Sequence, residues 1–223
     1  MTIFEKDKIG GLIGNVSKVS HYTSVIVDED GESFRNRLED QIKAYKLDLK
    51  YEEVLSLKKD GDVFIVKTNK DTYEAKKVIV ASGSSPKELD LKIENYTISH
   101  WAKGSEERVK GKIVIVNGGS DGAAKEAIYL SKFAKEVHIV QNQDKLLCIH
   151  EFKKQIEESN NIVVHTSSSL EAVTCKDGLI RSAKLSNGCE ITAKDGLEIF
   201  AMIGQHPNTS FIDLDIPKNE LGF

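Results

Sequence analysis

The chain has 223 residues, 39% hydrophobic and 30% charged, the balance of a globular protein of one large domain or two small ones. A formal net charge of -4 argues against a general nucleic-acid binder, which needs basic excess to meet phosphates. No apolar run approaches the roughly 20 residues that span a bilayer, so no membrane role is expected.

The start, MTIFEKDKIGG, has no apolar signal core, and the three cysteines (Cys148, Cys175, Cys189) are dispersed without a C-x-x-C. Both features point to a reducing cytoplasm and no disulfide framework. The six histidines show no metal-ligand spacing, so no metal is expected.

In chain order, residues 2–5 read as a short strand broken at Gly10-Gly11. Residues 12–31 show no period and read as a loop, with Val25-Ile26-Val27 packed inside. Ser33 to Tyr45 sets Phe34, Leu38, Ile42 and Tyr45 on one helical face. Residues 50–57 and 62–68 alternate like paired strands, with Asp60-Gly61 as the hairpin turn, and Thr72–Ala75 adds a third. Lys77-Val78-Ile79-Val80-Ala81 reads as a buried strand, ended by Ser82-Gly83-Ser84-Ser85-Pro86. A polar linker spans about 87–111. Strand 113–116, helix 122–133 with Ala123, Ala127, Leu130 and Ala134 inward, and strand 137–140 make a β-α-β unit of about 30 residues. A helix at 150–158, a strand at 162–165 and a hairpin sheet over 169–193 follow. Turns fall at Lys176-Asp177-Gly178 and Ser186-Asn187-Gly188. Leu197–Ile203 closes as a buried strand ended by Gly204.

The stretch KIVIVNGGSDGAA (112–124) carries the chemistry. A dinucleotide pyrophosphate sits at a helix N-terminus, where free N–H groups and the positive dipole end face it. The pattern G-x-G-x-x-G/A supplies a tight turn, close backbone approach and helix–strand packing. Here Gly118 and Ala123 meet the first and third demands, while Ser120 stands at the second. Gly118, Gly119, Ser120, Asp121, Gly122 and Ala123 are therefore candidate binding residues for a weakened NAD(P)H site. After strand 137–140, where an acid would select NAD and an arginine NADP, stand Gln141-Asn142-Gln143, read as solvated loop residues. Cys148, among Leu146, Leu147 and Ile149, reads as a structural thiol.

The segments FEKDKIGG (4–11), YEAKKVIVASGSSPKEL (73–89), VIVNGGSDGAAKEAIYLSKFAKEVHIV (114–140) and IGQHPNTSF (203–211), in this order, resemble the low-molecular-weight thioredoxin reductases. These are two-domain flavoproteins of the pyridine-nucleotide disulfide oxidoreductase class. The resemblance implies an α/β fold of two Rossmann-like nucleotide-binding domains, each with a β-meander. An incomplete FAD domain (1–94 and 210–223) would hold an inserted NAD(P)-type domain (95–209). It also implies a homodimer with FAD. Glu5 would bind the adenosine ribose and Gly10 and Gly11 would lie beside the flavin. Ala81-Ser82-Gly83 would stand for the family's A-T-G, and Gly204, Pro207, Asn208 and Thr209 for its G-x-x-P-N-T.

Four departures qualify the resemblance. The chain begins after the first strand and its Gly-rich turn, roughly thirty residues into a typical member. It stops before the A-G-D segment. The redox C-x-x-C is replaced by Trp101-Ala102-Lys103-Gly104, so no thiolate is available there for disulfide exchange. The H-R-R that holds the NADPH 2′-phosphate is Gln141-Asn142-Gln143, which predicts weak NADPH selectivity. The expectation is a flavin-dependent oxidoreductase of this type, or a fragment of one, with no catalytic residue assigned and an undefined electron donor and acceptor. The alternatives are a non-catalytic nucleotide-fold interaction protein and a truncated inactive product.

Overall fold

A computed structural model describes residues 1–19, 22–23, 26–91, 93 and 96–220. They form two compact units, Met1–Ser85 with Gln205–Phe223, and Pro86–Gly204. The sequence places the borders at 94/95 and 209/210. The division falls earlier, and Leu89, Leu91 and Ile93 pack onto the core of the second unit.

In the first unit β1 (Thr2–Glu5) pairs in parallel with β2 (Asp48–Tyr51), Thr2 opposite Asp48 and Glu5 opposite Tyr51. Between them lie a 3-10 turn, Gly11–Asn15, and α1, Gly31–Ala44. The helix starts where the Asp30 carboxylate accepts the Ser33 N–H at 2.8 Å, an N-cap that contributes about 1 kcal/mol. Phe34 is buried and Leu38 and Ile42 are half-buried, but Tyr45 is 77% exposed, so the apolar face is shorter than its spacing predicts. The expected packing of residues 25–27 is corrected for Ile26 and Val27, which are exposed; Val25 lies outside the described residues.

The stretch 50–57 divides into two strands. β2 ends at Tyr51, and β3 (Val54–Asp60) opens an antiparallel meander with β4 (Val63–Thr68) and β5 (Thr72–Ala75). Glu52 explains the break. It is buried at the junction, accepting the Thr68 hydroxyl at 2.6 Å and the Tyr73 hydroxyl at 3.1 Å. Leu57, Val66 and Ile212 form the core here, with Phe4, Phe64, Tyr73 and Val78 against it. Residues 77–81 are not the buried strand the sequence predicts. They form no strand, and Ile79 is 86% exposed, because no described strand runs beside them to supply ladder bonds. The chain's two crossings are instead the short paired strands β6 (Ser84–Pro86) and β13 (Gln205–Pro207).

The second unit begins with α2 (Glu106–Val109), a helical turn inside the expected linker. Its six-stranded sheet has the order β10-β11-β12-β7-β8-β9. β7 (Ile113–Asn117), β8 (Glu136–Val140) and β9 (Ile162–His165) are parallel; β10 (Leu170–Lys176), β11 (Leu179–Leu185) and β12 (Glu190–Ala201) form the meander. β12 joins the two halves, antiparallel to β11 and parallel to β7. The sequence splits it into a strand ending at 193 and another from 197. It is one strand, with Gly196 at φ 89° where an extra stretch bulges out of register with β11. α3 (Asp121–Leu130) and α4 (His150–Glu157) cover one face, burying Val114, Val116, Val137, Ile139, Ala127 and Leu130. α3 stops short of the predicted Phe133. The meander side buries Ile115, Ile180, Leu185, Leu197 and Ile199.

Buried polar groups interrupt this interior, among them Glu198 and His138. Glu198, 5% exposed on β12, accepts from Lys112 (2.7 Å), Arg108 (3.0 Å) and the Tyr96 hydroxyl (3.1 Å). Burial pushes the Tyr96 hydroxyl up to about 12, so it remains a neutral donor. On β8 and β9, His138 Nδ1 and His165 Nε2 lie 2.9 Å apart with stacked rings, and His138 Nε2 is 2.7 Å from the Glu136 carboxylate. Burial lowers both imidazoles below the ordinary 6.5, against the pull of Glu136. A depressed folded value means that their contribution is present above pH 6.5 and is lost as pH falls through the folded values. The urea midpoint of the second unit is expected to drop between pH 7 and pH 5, and His165→Gln to flatten that slope. An equal slope in the variant would assign the loss elsewhere.

Candidate functional site

β7 delivers the Gly-rich turn to the start of α3, and the two central glycines serve the protein's own packing. Gly118 has φ 134°, and a Cβ there would lie 2.2 Å from the carbonyl oxygen of Met202, the residue after β12. A Cβ on Gly119 would lie 2.7 Å from the Gln141 side chain. Ser120 is the N-cap of α3 with extended backbone, but its hydroxyl makes no capping bond. Asp121 opens the helix; its carboxylate accepts the Ile149 N–H at 2.8 Å. Leu147 N–H donates to the Gly119 carbonyl at 2.8 Å, so the loop before α4 is fastened beside the turn. Above Gly122 there is open space, and a methyl group on its Cα would meet nothing within 4 Å. Ala123 is fully buried against the sheet, as close helix–strand packing requires.

The turn therefore fits a dinucleotide pyrophosphate. The first-turn N–H groups of α3 have no intrahelical acceptor, and the space over Gly122 is clear. At the end of β8 the reading of Gln141 as a solvated residue is corrected. It is 5% exposed, folded back onto Gly119, with Nε2 3.4 Å from the Lys145 carbonyl. Asn142 and Gln143 are exposed. None of the three offers a charge to a 2′-phosphate. Cys148 is buried, and burial pushes its thiol up, away from a reactive thiolate.

The other candidates lie in the first unit, except Gly204, the last residue of the second. Glu5 ends β1, its carboxylate accepting the Asp7 N–H at 2.8 Å. Gly10 and Gly11 lead into the 3-10 turn with φ 80° and 51°, and nothing stands within 4 Å of a Cβ on Gly11. Ala81, Ser82 and Gly83 are exposed. Asn208 ties them to the returning chain, its N–H bonding the Gly83 carbonyl (3.0 Å) and its side-chain amide the Ser82 carbonyl (3.1 Å). Gly204, with φ 98°, accepts the Lys87 N–H through its carbonyl at 3.0 Å. The sequence reading missed Arg35. Its side chain lies along Gly10 and Gly14, and its buried Nε has no hydrogen-bond partner among the described residues. Its only signal is a basic residue one helical turn into α1. The first unit shows a strand-end acceptor and open glycines, but among the described residues no strand–turn–helix to seat a second pyrophosphate.

The whole chain matches one sequence family, the pyridine nucleotide-disulphide oxidoreductases, over residues 2–221. The chain belongs to that family. Within it, the chain is similar to the thioredoxin reductase of Peptoclostridium acidaminophilum, at 27% identity over 99% of this chain and 74% of that protein. The crystal structure of T. acidophilum thioredoxin reductase superimposes with a TM-score of 0.86 at 27% identity, covering 100% of this chain and 75% of the other. Lactococcus lactis thioredoxin reductase (FR conformation) shares the fold, with a TM-score of 0.87 at 23% identity over 99% and 74% of the two chains. The α/β architecture of two Rossmann-type units, each with its meander, is thus that of the family.

At the position expected for the redox dithiol, Ala102 is fully buried in the helix-side core and Gly104 turns the chain with φ 84°. Ser105 closes the turn, its N–H and hydroxyl both donating to the Ala102 carbonyl. In this chain that segment is a packed turn. Among the described residues no helix is long and apolar enough to cross a membrane, and no three His, Cys, Asp or Glu side chains are placed to hold a metal ion.

Proposed function

We propose that the chain is a flavin-dependent oxidoreductase of thioredoxin-reductase type whose second unit binds a nicotinamide dinucleotide without charge-based selection, and which has no dithiol at 101–104. The geometry of β7, the turn and α3 carries this reading. Gly118, Gly119, Ser120, Asp121, Gly122 and Ala123 form the pyrophosphate seat. Glu5, Gly10, Gly11, Ala81, Ser82, Gly83 and Gly204 are the residues assigned to the FAD side, with Arg35 beside them. The bound nucleotide supplies hydride chemistry. The chain's own residues would hold its pyrophosphate at the helix dipole, and positions 141–143 offer its ribose no charged side chain. With the dithiol position closed, electrons do not leave through a thiolate of this segment. The reading extends to a homodimer in the cytoplasm, with the electron donor and acceptor to be identified by assay.

NADH and NADPH are expected to bind within about threefold of each other by calorimetry, since no Arg fork rewards the 2′-phosphate. A preference for NADPH of about tenfold or more would overturn the neutral-ribose assignment. The visible spectrum of the purified chain tests the flavin: a flavin band bleached by either nucleotide supports the oxidoreductase. A colourless chain that binds neither nucleotide would favour the alternative of an interaction protein on the same fold, which the missing dithiol already recommends.

A further inference from the structure

We propose that Glu136, His138 and His165 form a proton-operated latch that holds edge strand β9 on its sheet and, through Gln141, positions the dinucleotide turn, so that acid loosens nucleotide binding. The nucleotide half of this inference rests on the pyrophosphate seat proposed above; the latch itself does not.

β9 is the last strand of the six-stranded sheet, and its ladder runs to β8 alone. Val163 and Val164 remain 40% and 37% exposed, so its own side chains anchor it weakly. The polar tie is the bond between His138 Nδ1 and His165 Nε2, 2.9 Å, which has room for one proton. The Glu136 carboxylate stands 2.7 Å from His138 Nε2, off the axis of a hydrogen bond, and acts there by charge. It favours a proton on Nε2, which leaves Nδ1 bare and makes His165 the donor. Among the described residues Glu136 is the charged group that acts on either ring. The strand neighbours of His138 are apolar, Ile115 on β7 and Val163 on β9.

Burial holds both rings below the ordinary 6.5, so the closed pair is neutral at pH 7. A first added proton places a charge inside the fold, and a second sets N–H against N–H. Both are relieved when β9 leaves β8 and His165 reaches water, where it regains its ordinary affinity for protons. Protons therefore bind the open strand better than the closed one. An edge strand can open locally while the rest of its sheet stays formed.

The opening reaches the turn through the backbone. Gln141 N–H donates to the His165 carbonyl (2.8 Å), Ser168 N–H to the Gln141 carbonyl (3.0 Å) and Ser167 N–H to the Gln143 carbonyl (2.7 Å). The Gln141 side chain packs on Gly119, where it fills the place of a Cβ. When β9 lifts, Gln141 loses these anchors and Gly119 its support. His138 and His165 are thus positioning residues, acting on the seat through Gln141.

The test follows amide hydrogen exchange of the purified chain at pH 7.5 and pH 5.5, as protection factors. Beside it runs calorimetric binding of NAD+, whose phosphates do not titrate in this range. On acidification the protection of 162–165 is expected to fall about tenfold or more while β7 keeps its own. NAD+ affinity is expected to fall about five- to tenfold. His165→Gln offers His138 an amide donor but takes up no proton, and should reduce both changes to about threefold or less. His165→Val offers no donor and should open β9 already at pH 7.5, with β7 still protected as the sign that the variant is folded. Unchanged protection of 162–165 between the two pH values overturns the latch, and so does an equal fall in His165→Gln. A fall in protection with constant NAD+ affinity overturns the coupling to the turn. If NAD+ does not bind at pH 7.5, the seat is wrong, and the exchange series decides the latch by itself.

Discussion

Replacing Gly118 by alanine is expected to cost the second unit about 3–5 kcal/mol, read from urea unfolding with the single tryptophan, Trp101, as probe. Two costs add. A positive φ of 134° strains any residue with a Cβ, by about 1–3 kcal/mol. The new methyl would then stand 2.2 Å from the Met202 oxygen and 2.8 Å from its carbon, and overpacking costs about 1–3 kcal/mol more. Neither backbone is free to retreat. Met202 N–H is bonded to the Asn117 carbonyl and Gly118 N–H to the Val140 carbonyl, each at 2.8 Å. Gly122→Ala is the control. Its Cβ meets nothing within 4 Å and its helical position favours alanine, so a gain of about 0.5–1 kcal/mol is expected. If the pyrophosphate lies over Gly122, the same change weakens dinucleotide binding while it raises stability. Two variants with equal unfolding midpoints would contradict the crowding at Gly118.

Glu198→Ala should be the other severe change, costing about 3 kcal/mol or more. The carboxylate is the shared acceptor of Lys112, Arg108 and Tyr96, and its loss leaves a half-buried ammonium and a half-buried hydroxyl facing an apolar strand. Arg108 is 39% exposed and can turn to water, which keeps the cost at the lower end of the range for a broken buried pair. Glu198→Gln keeps the acceptor oxygen without the charge and should cost about half as much. Arg108 also lies over the Phe200 ring at 5.4 Å, so a loss of order there would follow in both variants. The measurement is the same urea series. Equal midpoints for the Glu198→Ala variant and the wild-type chain would mean that Glu198 gives nothing that packing does not.

The sequence made the β7–α3–β8 unit readable because its signals are local and agree. Ile113 to Val116 is an apolar run bounded by a glycine turn, and Ala123, Ala127 and Leu130 repeat at helical spacing. The candidate turn was readable for the same reason, though not that Gly119 makes room for Gln141. Residues 77–81 failed as a strand because apolar composition reports what a segment tolerates, and burial needs a neighbour that composition cannot supply. The division at Glu52 was hidden because no glycine or proline marks it. A buried carboxylate accepting hydroxyls from β4 and β5 does the turning. β12 was cut in two because Gly196 reads as a stop, although a bulge let the strand continue.

The placement of β12 also fixes the order of events in synthesis. It is the last strand of its sheet to leave the ribosome, yet it sits in the middle, between β11 and β7. Until Ala201 has emerged, the nascent sheet is two pieces, the β10–β11 hairpin and the β7–β8–β9 ladder, each with a bare edge toward the other. The pairing of β12 with β7 joins Leu197 to Ile113 across a long loop of chain, so closure is slow and comes late. The interval before it is when this protein is most open to aggregation, and when a chaperone that holds strand edges would matter most.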